Sequence, residues 1–131
     1  MPLVSSRRLK IFFDGGCRPN PGRIEVAAVA RGVAHVRDDL GQGSNTEAEW
    51  LALIHALELA LVLGERDFEL IGDATTVIDQ ANGLAKCHSE ALRAHLEQFG
   101  ALALLCPPAR VRWIGRAQNL AGIVLASRHP R

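Results

Sequence analysis

Three carboxylates of the 131-residue chain stand where carboxylates need an explanation. Asp14 ends an apolar run, Leu9-Lys10-Ile11-Phe12-Phe13, and opens a segment dense in Gly, Pro and Asn that continues to Gly22. The run, over 9–14, reads as a strand and the segment as a tight loop, because those residue types set turn dihedrals. Asp73 follows another apolar run, Asp67-Phe68-Glu69-Leu70-Ile71-Gly72, and Glu49 lies in the first turn of a long apolar helix. At about 100° per residue, Glu49 falls about 200° from Glu47, in line with Leu53, Ala56 and Ala60, whereas Glu47, His55 and Glu58 share a narrow polar stripe. A carboxylate aimed at a core is costly unless something pairs with it. Several brought together repel one another, which raises their pKa values unless a cation is present. Two divalent ions about 4 Å apart would relieve that repulsion, and such pairs activate a water and stabilise the leaving oxygen of a phosphodiester. An all-oxygen ligand set suits Mg²⁺, which keeps several of its own waters.

The elements that must position these residues follow from periodicity. After the first strand, 24–30 and 33–37 read as strands joined by a turn at Arg31-Gly32, and 38–43 as a loop. A helix spans about 46–63, capped by Ser44 or Asn45, and its nearly all-round apolar character predicts burial. A fourth strand over 67–71, helices over 75–82 and 89–105, a fifth strand over 110–114 and a last helix from 118–119 to about 127 complete the order β-β-β-α-β-α-α-β-α. A three-stranded antiparallel meander followed by right-handed crossovers gives a mixed α/β sheet with helices on both faces. Strands one and four then lie parallel and adjacent, with Asp14 and Asp73 at neighbouring ends.

Composition narrows the field. The length suits one domain with a single core, residues 1–8 reading as a flexible lead-in. No apolar run reaches the roughly 18 residues of a membrane span, and the N-terminus has no signal-peptide pattern. Cys17, Cys87 and Cys106 are odd in number and lack CxxC spacing, which suits reduced thiols and a cytoplasmic location. Net charge is +1, but no Asp or Glu follows Glu97, while Arg110, Arg112, Arg116, Arg128 and Arg131 do. That asymmetry fits either a solvated basic face or an anionic partner.

The stretch from Phe13 to Gly22 resembles the opening of type 1 ribonuclease H, in which a DG(G/A)CxxNPG motif follows the first strand. Asn45-Thr46-Glu47-Ala48-Glu49-Trp50-Leu51-Ala52-Leu53 resembles that family's N-N-x-A-E helix start, with Glu49 at the catalytic position, and Gly72-Asp73-Ala74 resembles its third motif. The resemblance covers about residues 9–127. It implies the ribonuclease H-like fold, a five-stranded mixed sheet, and hydrolysis of the RNA strand of an RNA/DNA hybrid with two Mg²⁺ ions, Mn²⁺ being a possible substitute. Asp14 would bridge the ions and Glu49 and Asp73 would complete their sites. The chain departs from the family at the fourth acid: in the N-x-x-A-D pattern of the last helix, Asn119-Leu120-Ala121-Gly122 puts Gly122 where the aspartate belongs. This puts the second ion site in doubt and opens an alternative, a catalytically inactive module that still binds nucleic acid. His129, which could approach the gap, reads as an exposed tail residue. The basic helical insertion of many bacterial relatives does not fit in 84–89, and their histidine loop before the last helix is absent.

Substrate contacts implied by the resemblance involve Gly15, Gly16, Cys17, Arg18, Asn20, Asn45 and Thr46, where hydrogen bonds to a 2′-hydroxyl distinguish RNA from DNA. Asn20 also reads as a loop-ordering residue and Asn45 as a helix cap, roles that can coexist with binding. Arg18, Arg112 and Arg116 are either phosphate ligands or solvated arginines. Trp50 and Trp113 read as core or sheet-packing residues, and no chemistry is expected of His55.

Overall fold

The computed structural model describes residues 8–129, so the lead-in expected at 1–8 lies, apart from Arg8, outside the described residues. The elements run β1 (Leu9–Cys17), β2 (Gly22–Ala30), β3 (Val33–Arg37), β4 (Gln42–Gly43), α1 (Asn45–Leu63), β5 (Phe68–Gly72), α2 (Thr75–Ala81), α3 (Glu90–Leu105), β6 (Arg110–Trp113) and α4 (Leu120–Ser127), with a 3₁₀ turn at Arg116–Gln118. The main sheet has the order β3-β2-β1-β5-β6, antiparallel from β3 to β1 and parallel from β1 to β6, as expected. The two-residue β4 pairs with β2 inside the stretch read as a loop, which makes six strands in place of five.

A second difference matters more for the site. The segment after Asp14 is not all loop: Gly15, Gly16 and Cys17 continue β1, paired with Val26, Glu25 and Ile24 of β2. Turn propensity loses here to a partner strand that extends back to Gly22 and supplies the missing ladder. The extension places Asp14 inside the sheet edge and not at a frayed end.

Strand alternation sorts the side chains. Ile11 and Phe13 of β1, Phe68 and Leu70 of β5 and Val111 of β6 face α1, forming the main core with Trp50, Leu53 and Leu57. Helix α1 is apolar around most of its circumference because it is wedged between the sheet and α3; it starts on the Ser44 side chain, which accepts a hydrogen bond from the Glu47 N–H at 3.2 Å. Trp50 is fully buried, and its indole N–H donates to Gln80 Oε1 at 2.9 Å while the Gln80 amide donates to the Lys86 carbonyl at 3.0 Å, tying α1 to α2 and to the short α2–α3 connection. Trp113 corrects the packing expectation: it ends an edge strand and is 56% exposed. The other face is covered only in part. α4 lays Ala121 and Leu125 on Phe12, Ala27, Val29 and Val36, a small cluster drawn from β1, β2 and β3.

Candidate active site

The cleft forms where β1 and β5 end beside the start of α1. Two glycines let the elements close. A Cβ on Gly15 would stand 2.1 Å from the Ala48 carbonyl oxygen, so only glycine allows β1 to meet the first turn of α1. A Cβ on Gly72 would stand 2.6 Å from the Phe13 ring, which lies across β5 at that point. The last registered pair of the parallel strands is Phe12–Ile71, and two residues further on come Asp14 and Asp73. The three expected acids thus line one cleft of about 420 Å³ with Gly15, Gly16, Cys17, Arg18, Asn45, Arg116 and Gly122.

The acids feel one another. Burial, and then the neighbouring Asp73, push the Asp14 carboxyl up to about 6, against a backbone hydrogen bond from Gly15 and the charge of Arg116. Burial, then Asp14 and Asp73, push Glu49 up to about 7, again opposed by Arg116. The cation available to them is weakly held: Arg116 is 93% exposed in its side chain, with Nε 3.9 Å from Asp73 Oδ2. The site therefore carries more negative charge than the chain neutralises. Its donors fit a hard divalent cation in kind and charge, oxygen throughout. Their spacing stops short of a finished site, since among the described residues no three His, Cys, Asp or Glu side chains converge closely enough to hold an ion.

Gly122 lines the same cleft. It stands in the first turn of α4, and a Cβ there would lie 3.5 Å from Asp14 Oδ2 and 3.8 Å from the Asn119 side chain, ordinary contact distances. A Cβ at 122 is accommodated and would face Asp14. What holds this turn against Asp14 is Asn119, fully buried, whose amide donates to the Phe13 carbonyl at 3.0 Å and whose Oδ1 accepts from the Ala121 N–H at 3.1 Å. One side chain thus caps α4 and fixes it to the residue before Asp14. The sequence placed it at the start of the helix, and its bond to β1 was not legible there.

The expected substrate residues divide. Asn45 Oδ1 accepts from the Cys17 N–H at 2.8 Å, and Asn20 Oδ1 accepts from the Asn45 N–H at 3.1 Å, so both asparagines order the loop, as the local reading of Asn20 foresaw. Ser44, not Asn45, is the helix cap. Asn20 and Thr46 lie outside the cleft lining. Arg112 is already engaged, with Nε 2.6 Å from Glu69 Oε1. His55 is half-buried, and its ring bonds the His35 carbonyl at 3.0 Å; burial first, with the Arg37 charge adding, lowers its pKa below the usual imidazole value. One further acid in the cleft was not foreseen. Glu25 of β2 lines it, paired with Arg128 at 3.2 Å and with His129, which is only 35% exposed and is no loose tail.

The reverse transcriptase-like family matches residues 12–129, and the chain belongs to it. Within that family its likeness is to type 1 ribonuclease H. The chain is 41% identical over 81 residues to ribonuclease HI of Halobacterium salinarum, covering 58% of this chain and 41% of that protein. The crystal structure of RNase H1 from the same archaeon superposes with a TM-score of 0.83 at 30% identity, covering 91% of this chain and 94% of that one. The bifunctional protein Rv2228c of Mycobacterium tuberculosis is 31% identical over 119 residues, which are 86% of this chain and 32% of that protein. LC11 RNase H1, solved in complex with an RNA/DNA hybrid, matches with a TM-score of 0.76 at 25% identity, over 86% of this chain and 89% of that one. The chain spans about two fifths or less of the length of the curated relatives it matches.

Proposed function

We propose that this chain hydrolyses the RNA strand of RNA/DNA hybrids at the Asp14–Glu49–Asp73 cleft, with divalent metal. The observation that carries the reading is that three carboxylates line one open cleft, two with pKa values raised to about 6 and about 7, with too little protein cation to balance them. Asp14, Glu49 and Asp73 would hold Mg²⁺ or Mn²⁺, which supplies charge stabilisation at the phosphoryl oxygens and a more acidic water. The chain itself would do the rest. The edge of β1 at Gly15 and Gly16, with Cys17, Arg18 and Asn45, presents polar groups on the same side as the acids, where an RNA strand offers its 2′-hydroxyls. Arg116, on the exposed lip, meets phosphates entering the cleft. Among the described residues no helix is long and apolar enough to cross a membrane. A reducing cytoplasm suits the three thiols, all buried and without disulfides.

A second reading, a module that binds hybrid without cutting it, is favoured by one observation: α4 faces Asp14 with a glycine, Gly122, whose Cβ would lie 3.5 Å from Asp14 Oδ2, and so brings no acid there. A labelled hybrid incubated in Mg²⁺ and separately in Mn²⁺ separates the two. We expect the parent to cleave, Asp14→Asn to lose about a thousandfold or more, and Gly122→Asp to gain at least tenfold, as removal and restoration of transition-state contacts require. Binding without cleavage by the parent under both metals would establish the second reading.

A further inference from the structure

The helix-bearing faces of the sheet are unequal. α4 covers β1 and β2, and its apolar cluster includes no residue of β5 or β6. On that uncovered side the register aligns Lys10, Glu69 and Arg110 in one row across β1, β5 and β6. The next row toward the cleft is Phe12, Ile71 and Arg112. Glu69, its side chain 6% exposed, is ringed by three guanidinium groups: Arg112 at 2.6 Å, Arg110 at 3.3 Å and Arg8 at 3.8 Å. One buried carboxylate needs one good partner, and Arg112 supplies it in a charge-assisted bond. Arg8 also pairs with Asp67 at 2.9 Å, whereas Arg110 is 59% exposed and Lys10, exposed on the far side of Glu69, makes no ion pair among the described residues. Four cations against two carboxylates leave the face positive.

Its direction is informative. Arg110 and Arg112 stand on one face of β6, about 7 Å apart at ~3.3 Å per residue, and beyond the strand the chain passes Ile114 to reach Arg116 on the cleft lip. We propose that this face, with unpaired Lys10 and with Arg110, exposed and sharing Glu69 with two other arginines, holds the sugar–phosphate backbone of the hybrid where it leaves the cleft. The inference rests on the function proposed above and adds a second, sequence-independent contact to it. It gives a basic grip to a chain whose α2–α3 connection, residues 82–89, carries a single lysine.

The test is fluorescence anisotropy of a labelled 24-base-pair RNA/DNA hybrid in EDTA across 50–200 mM salt, on the parent and on Lys10→Gln/Arg110→Gln, which leaves the Arg112–Glu69 bond in place. Two lost phosphate contacts should reduce the slope of log Kd against log salt by about 1.5–2 and weaken binding roughly tenfold at 50 mM. Lys10→Gln alone should give about half that change and covers the case in which the double variant fails to fold. Arg31→Gln, at the β2–β3 turn, serves as the charge control. An unchanged slope in a folded variant, an equal change in Arg31→Gln, or no hybrid binding by the parent in EDTA would each overturn the proposal. Cleavage by the parent in Mg²⁺, measured alongside, reports on the proposed function separately, so either can fail without the other.

Discussion

The two walls of the cleft are built to different tolerances. On one side β1, α1 and β5 meet through backbone: Gly15 lies under the Ala48 carbonyl and Gly72 under the Phe13 ring, with no room for a methyl group. On the other side α4 is held by a four-residue buried cluster shared with β2 and by Asn119, and Gly122 faces Asp14 with room for a Cβ at ordinary contact distance. The first wall fixes three acids to a rigid scaffold. The second brings a helix close and leaves its chemical position blank. Position of the backbone and identity of the side chain are separate requirements, and α4 brings its backbone beside Asp14 at a residue, Gly122, that has no side chain to offer.

The largest expected effect is a contrast between two identical substitutions. Gly15→Ala drives a Cβ to 2.1 Å from a carbonyl oxygen that cannot turn aside, and should cost about 3 kcal/mol or more. Gly122→Ala places the same atom at ordinary contact distance inside a helix and should stabilise by about 0.5–1 kcal/mol. Urea titration of both variants decides it. Similar losses at the two positions would mean that the walls are equally tight.

How much of this was legible in the sequence depends on the range of the interaction. Strand and helix periods located every long element, and the helical wheel separated Glu49 from Glu47 before any fold was in view. The Gly-rich segment after Asp14 misled, because its strand state depends on Val26 and Glu25 of β2 and not on its own propensities. β4 is two residues long and has no period to read. Glu25 entered the cleft, and His129 left the solvent, through a contact spanning 104 residues. The Asn119 bond to the Phe13 carbonyl spans 106, and the sequence marked that asparagine only as a helix start and as part of the family pattern.

The next effect concerns charge on the rigid wall. Asp14 and Glu49 titrate near 6 and near 7 when folded, against 3.8 and 4.5 as ordinary carboxyls. The folded state therefore binds more protons between about pH 4 and pH 7, and stability falls as pH rises through that window. The penalty is absent below about pH 4 and fully present above about pH 7. In EDTA we expect about 1–3 kcal/mol less stability at pH 8 than these two groups alone allow at pH 4, less than the full shifts imply because the cleft is open to solvent. Mg²⁺ should recover part of it at pH 8. Asp14→Asn should raise the pH 8 melting temperature in EDTA while lowering activity; a variant that melts lower at pH 8 would show that the acid stabilises the fold by contacts of its own.

The smallest effect lies at the far end of the looser wall. Arg128 bonds Glu25 at 3.2 Å and Asp38 at 3.1 Å, and His129 bonds Glu25, so the end of α4 is held to β2 and to the loop after β3 by charge. Arg128 and Asp38 are 38% and 44% exposed in their side chains, where water and salt screen such pairs. Arg128→Ala should cost only about 0.5–1 kcal/mol and lose most of that difference at high salt. It should leave the start of the helix, held by Asn119, in place beside Asp14. A measured loss above about 2 kcal/mol that persists in high salt would mean that this latch, and not the Asn119 bond, seats α4, and the division between a rigid and an adjustable wall would then fail at its softer end.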